Sequence, residues 1–389
     1  MHISPAAPIF WICLAIPAYV YFGYPALLAS GFLARRKPVY RQRIQPMVSI
    51  IVAAHNEESV IEGKIKNLLA LTYPQDRFEI LIGNDGSTDR TAEIAARYTT
   101  QRVQVITSEV RRGKSSIQNE AVMAASGEIL VFTDADCLVS PDTLQHAVDN
   151  FADPNVGLVT GTAAFSNSSE TGVSRNENLY SRYEAWIRRQ ESDRGLLAAA
   201  SGSFFAIRRQ LWQPLEANVG DDFVLPLQVA LRGKRNLLAS DVLAWTSLPV
   251  HADSMFKVKK RIVSKDFRGL LRNQAVLNPL RTGAVAFGLW SHKLLRWLVA
   301  YFLCGLLLAN LWLLHSTFFR ITLAAQILFY LVAVIALARR NPNIKLPWSV
   351  ILSFCVVNGA AMAGVFDCLT NRSFAQWKPI RSPLPAYKR

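Results

Sequence analysis

Met47-Val-Ser-Ile-Ile-Val-Ala-Ala54, running straight into His55-Asn56-Glu57-Glu58, is the stretch that decides the fold. An unbroken apolar run of strand length predicts a parallel strand covered on both faces. Its abrupt polar end suits a helix start, with Asn56 as cap and Glu57 and Glu58 in the first turn. The same unit recurs downstream. Phe78–Gly83 reads as a second strand ending in Asn84-Asp85-Gly86-Ser87-Thr88-Asp89, with Thr88 or Asp89 capping a helix through Ala96. Val103–Thr107 reads as a third strand, a helix begins near Lys114, and a fourth strand, Glu128–Phe132, ends in Thr133-Asp134-Ala135-Asp136. Such alternation predicts an α/β domain with a mostly parallel, Rossmann-like sheet and helices on both faces. His55-Asn56-Glu57, Asn84-Asp85 and Asp134-Ala135-Asp136 all fall at carboxyl ends of strands, the edge where open α/β sheets bind ligands.

Around this core the composition is unusual. Of 389 residues 51% are hydrophobic and only 18% charged, against about a quarter charged in ordinary soluble domains. The net charge of +15 fits a protein beside an anionic membrane or a nucleic acid. Five scattered cysteines exclude a disulfide-stapled module, and none has zinc-ligand spacing. Cys137, beside Asp136, reads as small apolar packing rather than a nucleophile.

The apolar surplus sits at the ends. Ile9–Leu33 is long enough to span a bilayer, and Arg35, Arg36 and Lys37 follow it, which marks a membrane anchor with the next domain on the cytoplasmic side. Leu294–Leu314 and Ile321–Ala338 are further spans. Leu346–Leu369 is a fourth, weakened by Asn358, Gly359, Gly364 and Asp367, because intramembrane polar groups need partners. A simple fourth crossing would put Arg372, Lys378, Arg381, Lys388 and Arg389 outside, whereas their charge argues for inside; a re-entrant hairpin is the other solution. The chain thus divides into an anchor (1–37), a domain soluble in composition (47–250), amphipathic interface helices (251–293), transmembrane helices (294–370) and a basic tail (371–389). Met255–Leu271 carries six basic residues and one acid, with apolar Met255, Val258, Ile262, Val263, Phe267 and Leu270 at mostly helical spacing. That pattern belongs to a helix lying on a membrane surface, and the adjoining spans set aside a nucleic-acid partner. His292 and Lys293 read as the positive flank of the next span.

Asp134 and Asp136 are two apart, so in extended backbone both carboxylates face one way. Paired carboxylate oxygens suit a hard divalent cation, Mg2+ or Mn2+. Arg112-Gly113-Lys114 opens a helix, where free N–H groups and a cation favour an anion. No Gly-x-x-x-x-Gly-Lys-Ser/Thr loop exists, which excludes a P-loop ATPase.

In order along about Val48 to Gly269, the pieces Val48–Glu58, Asn84–Asp89, Arg112–Asn119, Thr133–Asp136, Ser201-Gly202-Ser203-Phe204-Phe205 and Gly220-Asp221-Asp222 resemble the family 2 glycosyltransferases of GT-A fold. The likeness is strongest to their membrane-bound branch, which includes cellulose, chitin and hyaluronan synthases and bacterial envelope-polysaccharide transferases. The resemblance implies that Ala54, Glu57, Asp85, Lys114 and Asp134 hold a UDP-sugar and that Asp136, with Asp134, binds the metal. It further implies that Asp222, beside Asp221, is the general base, and that Ser201, Gly202, Ser203 and Phe204 border the acceptor. It implies inversion in a single displacement, in a multi-pass protein of the bacterial inner membrane, with membrane lipids and other envelope-biosynthesis proteins as partners.

The processive synthases carry Gln-x-x-Arg-Trp on an interfacial helix. The corresponding stretch here is Val258-Lys259-Lys260-Arg261-Ile262. Arg261 remains to meet the diphosphate, but the glutamine and the aromatic platform are lost. The expectation is therefore transfer of one sugar to a carbohydrate or lipid-linked acceptor. A processive synthase with a translocation channel and a polyprenyl-phosphate glycosyltransferase are the alternatives. A nucleotidyltransferase lacks its Gly-rich loop here, and a nucleotide sensor would not keep the motifs intact.

Overall fold

A computed structural model describes residues 5–33, 35–165, 172–247, 252–339 and 348–372, the side chains of 172–179 and 252 apart. The expected basic tail beyond Arg372 lies outside the described residues.

The predicted strands form with nearly the expected bounds: β1 Val48–Ala54, β2 Phe78–Asp85, β3 Val103–Ser108 and β4 Ile129–Phe132. Helices α2 (Ile61–Leu69), α3 (Thr91–Ala96) and α4 (Lys114–Ala124) lie between them. All adjacent pairs among these four strands are parallel, in the order β3-β2-β1-β4. Every residue of β1 is buried, as its unbroken apolar run requires.

Beyond β4 the sheet is mixed. β5 (Leu138–Val139), β6 (Val156–Phe165), β7 (Phe205–Arg208) and β8 (Arg235–Thr246) extend it to the order β3-β2-β1-β4-β7-β6-β8-β5. β7 runs antiparallel to both β4 and β6. The cause is local: Ser201–Phe204 lies at the carboxyl end of β4, so the strand leaving it must run back across the sheet.

Gly127, just before β4, is held against β1, its N–H donating to Ser49 Oγ at 2.7 Å. A Cβ there would stand 2.4 Å from Ser49 N and 2.8 Å from the Val48 carbonyl carbon. Both are backbone atoms of a central strand and cannot turn aside. Gly127→Ala is expected to destabilise the domain by about 3 kcal/mol, the upper end of overpacking costs, read as a lowered thermal midpoint in detergent; an unchanged midpoint would refute this close approach.

Among the described residues, four helices are long and apolar enough to cross a membrane: α1 (Ala6–Ser30), α8 (Ala284–Trp312), α9 (Thr317–Ala338) and α10 (Trp348–Leu369). Between α1 and the other three come α5 (Gly172–Arg194), α6 (Asp221–Leu231) and the basic amphipathic helix α7 (Ala252–Arg272). Helix α8 begins within the stretch expected to lie at the interface. Asn358 and Asp367 of α10 are both engaged. Asn358 Oδ1 accepts from Tyr21 OH (3.1 Å), and Gly364 lets α7 approach so closely that a Cβ would sit 2.6 Å from Lys260 O. Asp367 pairs with Lys260 Nζ at 2.6 Å and with Arg372 Nη1 at 3.4 Å. The carboxyl end of α10 therefore rests on α7, and Arg268 Nη2 donates to Arg372 O (3.2 Å). Arg372 thus lies against the basic helix α7.

His292 and Lys293 are not a simple charged flank. His292 is buried, Nε2 3.0 Å from Glu184 and Nδ1 2.8 Å from Glu191. Arg296 Nη1 pairs with Glu184 at 2.7 Å, and Tyr24 OH donates to Glu191 at 2.7 Å. These contacts fasten α5 to both α1 and α8.

Candidate active site

The loops after β1, β2 and β4 line one edge of the sheet. The His55 ring donates through Nδ1 to Asp85 O (2.7 Å). Asn56 does not cap a helix: α2 starts only at Ile61. Asn56 instead adopts a left-handed φ of 57°, which asparagine tolerates, and its Oδ1 accepts from Thr88 N at 2.8 Å. Cross-crevice bonds have replaced the local cap. Glu57 is buried, and its N–H donates to Thr91 Oγ1 (2.8 Å). The cap position of α3 is Arg90 rather than Thr88 or Asp89; Asp89, one residue earlier, accepts from Thr91 N at 3.0 Å.

Asp85 is fully buried. Its Oδ1 accepts from Arg112 N (2.7 Å) and its Oδ2 from Gly113 N (2.9 Å). The carboxylate thus shapes the turn that launches α4 and sets Lys114 at its first residue. Ala54, at the end of β1, forms a buried floor beneath this edge.

Lys114 is the hub. Its Nζ lies 2.8 Å from Asp134 Oδ1 and 3.2 Å from Asp221 Oδ2, joining the fourth strand's motif to the start of α6. Burial opposes its charge, but Asp134 and Asp221 outweigh this and hold the ammonium above the ordinary lysine range. Asp221 also accepts from Gln118 Nε2 at 2.8 Å. A Cβ at Gly202 would lie 3.4 Å from Asp222 Oδ2 and 3.5 Å from Asp134 Oδ2, so the two carboxylates converge on the space above that glycine.

The two acids that open α6 are tuned apart. Burial would raise Asp221, but Lys114 and Gln118 overcome it and hold its carboxyl below the usual range. Burial, with Asp221 beside it, pushes Asp222 up to about 6. Neighbouring carboxyl groups driven in opposite directions mark separate acid–base roles. Asp136 is likewise raised to about 6, by burial and then by Asp134. Asp134, Asp136 and Cys137 form a group whose ligating atoms lie within 4.8 Å of one another, so the carboxylate pair faces one point. Burial pushes the Cys137 thiol up to about 12, which keeps it inert and leaves the two aspartates as the donors suited to a hard cation.

Arg261 reaches the site from α7; burial depresses its guanidinium and Asp134 acts against that. Lys265, one turn further on, was not foreseen. Burial, followed by the charge of Arg261, lowers it to about 8. On the other side, Ala200 N donates to Asp222 O (2.7 Å) and Ser201 N to Thr160 Oγ1 (2.8 Å). Ser201, Gly202 and Ser203 are half-exposed, whereas Phe204 is buried in the sheet core. Its ring is therefore not the sugar-recognition face that was expected; the tight turn that bonds Phe204 N to Ser201 O directs it inward.

In the general-base role that the resemblance implies for it, Asp222, raised to about 6, must be deprotonated to act, so kcat/KM is expected to rise with pH through about 6 and level off above it. A profile already flat below pH 5 would remove Asp222 from that role.

Residues 49–214 match the family model described as Glycosyl transferase family 2. A beta-monoglucosyldiacylglycerol synthase of Nostoc sp. is 33% identical over 216 residues, covering 52% of this chain and 46% of that protein. A poly-beta-1,6-N-acetyl-D-glucosamine synthase of Staphylococcus epidermidis is 26% identical over 234 residues, covering 58% and 56%. The chain thus spans about half the length of the curated relatives it matches. A mannosyltransferase structure from Pyrobaculum calidifontis, in complex with GDP-Man and Mn2+, superposes over 94% of this chain and 100% of that one, with a TM-score of 0.73 and 23% identity. That likeness extends the shared fold to the flanking helices as well as the sheet. Residues 49–214 thus form a glycosyl transferase family 2 domain, in a chain whose fold is that of the GT-A mannosyltransferase structure.

Proposed function

We propose that this enzyme moves one sugar from a UDP-sugar, with inversion, onto a carbohydrate or lipid-linked acceptor at the surface of the bacterial inner membrane, its catalytic domain on the cytoplasmic side. One observation carries the reading: Asp134, Lys114, Asp221 and Asp222, drawn from three separate segments, meet at one edge with the two α6 acids tuned apart. Glu57, Asp85 and Lys114 supply the nucleotide side of the crevice. Ser201, Gly202 and Ser203 border the acceptor.

Asp222 takes the proton of the acceptor hydroxyl as that oxygen bonds to the anomeric carbon. The bond from that carbon to the diphosphate breaks, and its electron pair leaves on UDP. Lys114 and Arg261 face the charge that develops there. Asp134 and Asp136 would hold Mg2+ or Mn2+, which when bound neutralises the diphosphate. Asp221, held by Lys114 and Gln118, stays ionised and fixes the lysine.

Single transfer is supported by position 262, where isoleucine, 42% exposed on α7, stands in place of a stacking aromatic. The diacylglycerol-glucosylating relative favours a lipid acceptor. The test is nucleotide release by the purified full chain from UDP-glucose, UDP-galactose, UDP-N-acetylglucosamine and GDP-mannose, with Mn2+ or EDTA and diacylglycerol micelles. A cation-dependent UDP release with an organic-extractable product is expected. Pyrophosphate release, consumption of GDP-mannose alone, or long water-soluble polymer would each overturn the corresponding part.

A further inference from the structure

Helix α2 carries a lysine where its amphipathic pattern calls for an apolar residue. Ile61, Ile65 and Leu68 are fully buried on one face, and Lys64 shares that face at 0% exposure. Burying an ammonium is costly unless it is bonded. Nζ donates to Thr133 Oγ1 at 2.8 Å and to Cys137 O at 2.7 Å. Among the described residues no carboxylate pairs with it; the negative charge it faces comes from Asp134 and Asp136. The two oxygens it grips bracket those aspartates, so the five-residue turn from 133 to 137 is pinned at both ends. Lys64 bonds to neither carboxylate: Asp134 Oδ1 is held by Lys114 at 2.8 Å, and Asp136 faces the same point as Asp134.

The Thr133 hydroxyl carries the connection further. Accepting from Lys64, it donates to Ser203 O at 2.7 Å, in the loop beside the Asp134–Asp222 gap. We infer that Lys64 is a positioning residue that couples the cation-binding turn to the acceptor loop, through the Thr133 hydroxyl. A compact ammonium with several donors on a flexible stem can reach two acceptors in different directions, and each bond polarises the next. Filling of the nucleotide side is thereby transmitted to Ser203 and to the space over Gly202. This inference rests on the assignment of Asp134 and Asp136 to cation and nucleotide given above.

Hydrogen–deuterium exchange on the full chain in detergent tests it, with UDP and Mn2+ as probes, so that neither the donor sugar nor the acceptor need be known. In the unsubstituted protein the amides of 199–206 are expected to exchange about tenfold more slowly once UDP and Mn2+ are bound, the scale of one charge-assisted hydrogen bond. In Thr133→Val, UDP still binds with Mn2+ and the 133–137 turn is still protected, but protection of 199–206 is lost; Lys64→Met, which also unpins that turn, loses it too. Thr133→Ser, which keeps the hydroxyl, restores it. A purely structural role would lower the amount of folded protein without uncoupling the two segments. Should Lys64→Met fail to fold, Thr133→Val decides the matter, because it leaves the Lys64–Cys137 bond in place. Unchanged protection in Thr133→Val, or no protection of 199–206 in the unsubstituted protein despite bound UDP, overturns the inference. No UDP binding with Mn2+ in the unsubstituted protein refutes the nucleotide assignment itself, and the coupling with it.

Discussion

Replacing Asp222 by asparagine is expected to lower turnover by about a thousandfold, within the range that a positioned general base supplies, while UDP and cation binding persist. The amide nearly matches the carboxylate in shape but cannot take the acceptor's proton. Its surroundings stay in place: the bond from Ala200 N goes to the backbone carbonyl of residue 222, and Lys114 keeps both Asp134 and Asp221. Initial rates beside calorimetric UDP titrations separate the two quantities. Parallel loss of binding and turnover would show instead that Asp222 organises the site, and a variant retaining several per cent of the activity would remove it as base.

Asp136→Ala is expected to act on binding. Asp136 is raised to about 6 because burial and Asp134 both disfavour its charge, and a divalent cation would relieve that repulsion. Truncating it leaves a single aspartate at the turn. UDP affinity in the presence of Mn2+ should fall by about two orders of magnitude, the upper end of the loss typical of outer contacts to a metal ligand, to the level found with EDTA. The cation-free affinity should hardly change. Equal affinities with and without Mn2+ in the unsubstituted protein would dispose of the cation site.

The parallel half of the fold was legible because strands covered on both faces carry few polar residues, so β1, β2 and β4 stand out as mainly apolar runs cut off by polar and acidic residues. Those acids were legible as a site for the same reason: nothing about packing puts Asp85, Asp134 and Asp136 at one edge. Other features were hidden by long-range contacts. Asn56 has every local mark of a helix cap, yet its Oδ1 is engaged by Thr88 from the next loop. Helix α5 is almost uniformly polar, and only the buried His292 and Arg296 of α8 explain why Glu184 belongs there. Lys64 did leave a trace, a cation three residues after Ile61 and one before Ile65. Without knowing that Thr133 and Cys137 lie behind that face, it looks like an ordinary surface lysine.

The fastening of α5 to α8 and α1 bears on how the enzyme can be handled. A fragment restricted to residues 47–250 would strand Glu184 and Glu191 without His292, Arg296 and Tyr24. It would also bare the apolar seam that Ala198, Ala199 and Phe223 share with Leu289 and Trp297. Excising the sheet domain to gain a water-soluble catalyst would therefore loosen the wall behind Asp222, and biochemistry on this protein calls for detergent or nanodiscs around the intact polypeptide.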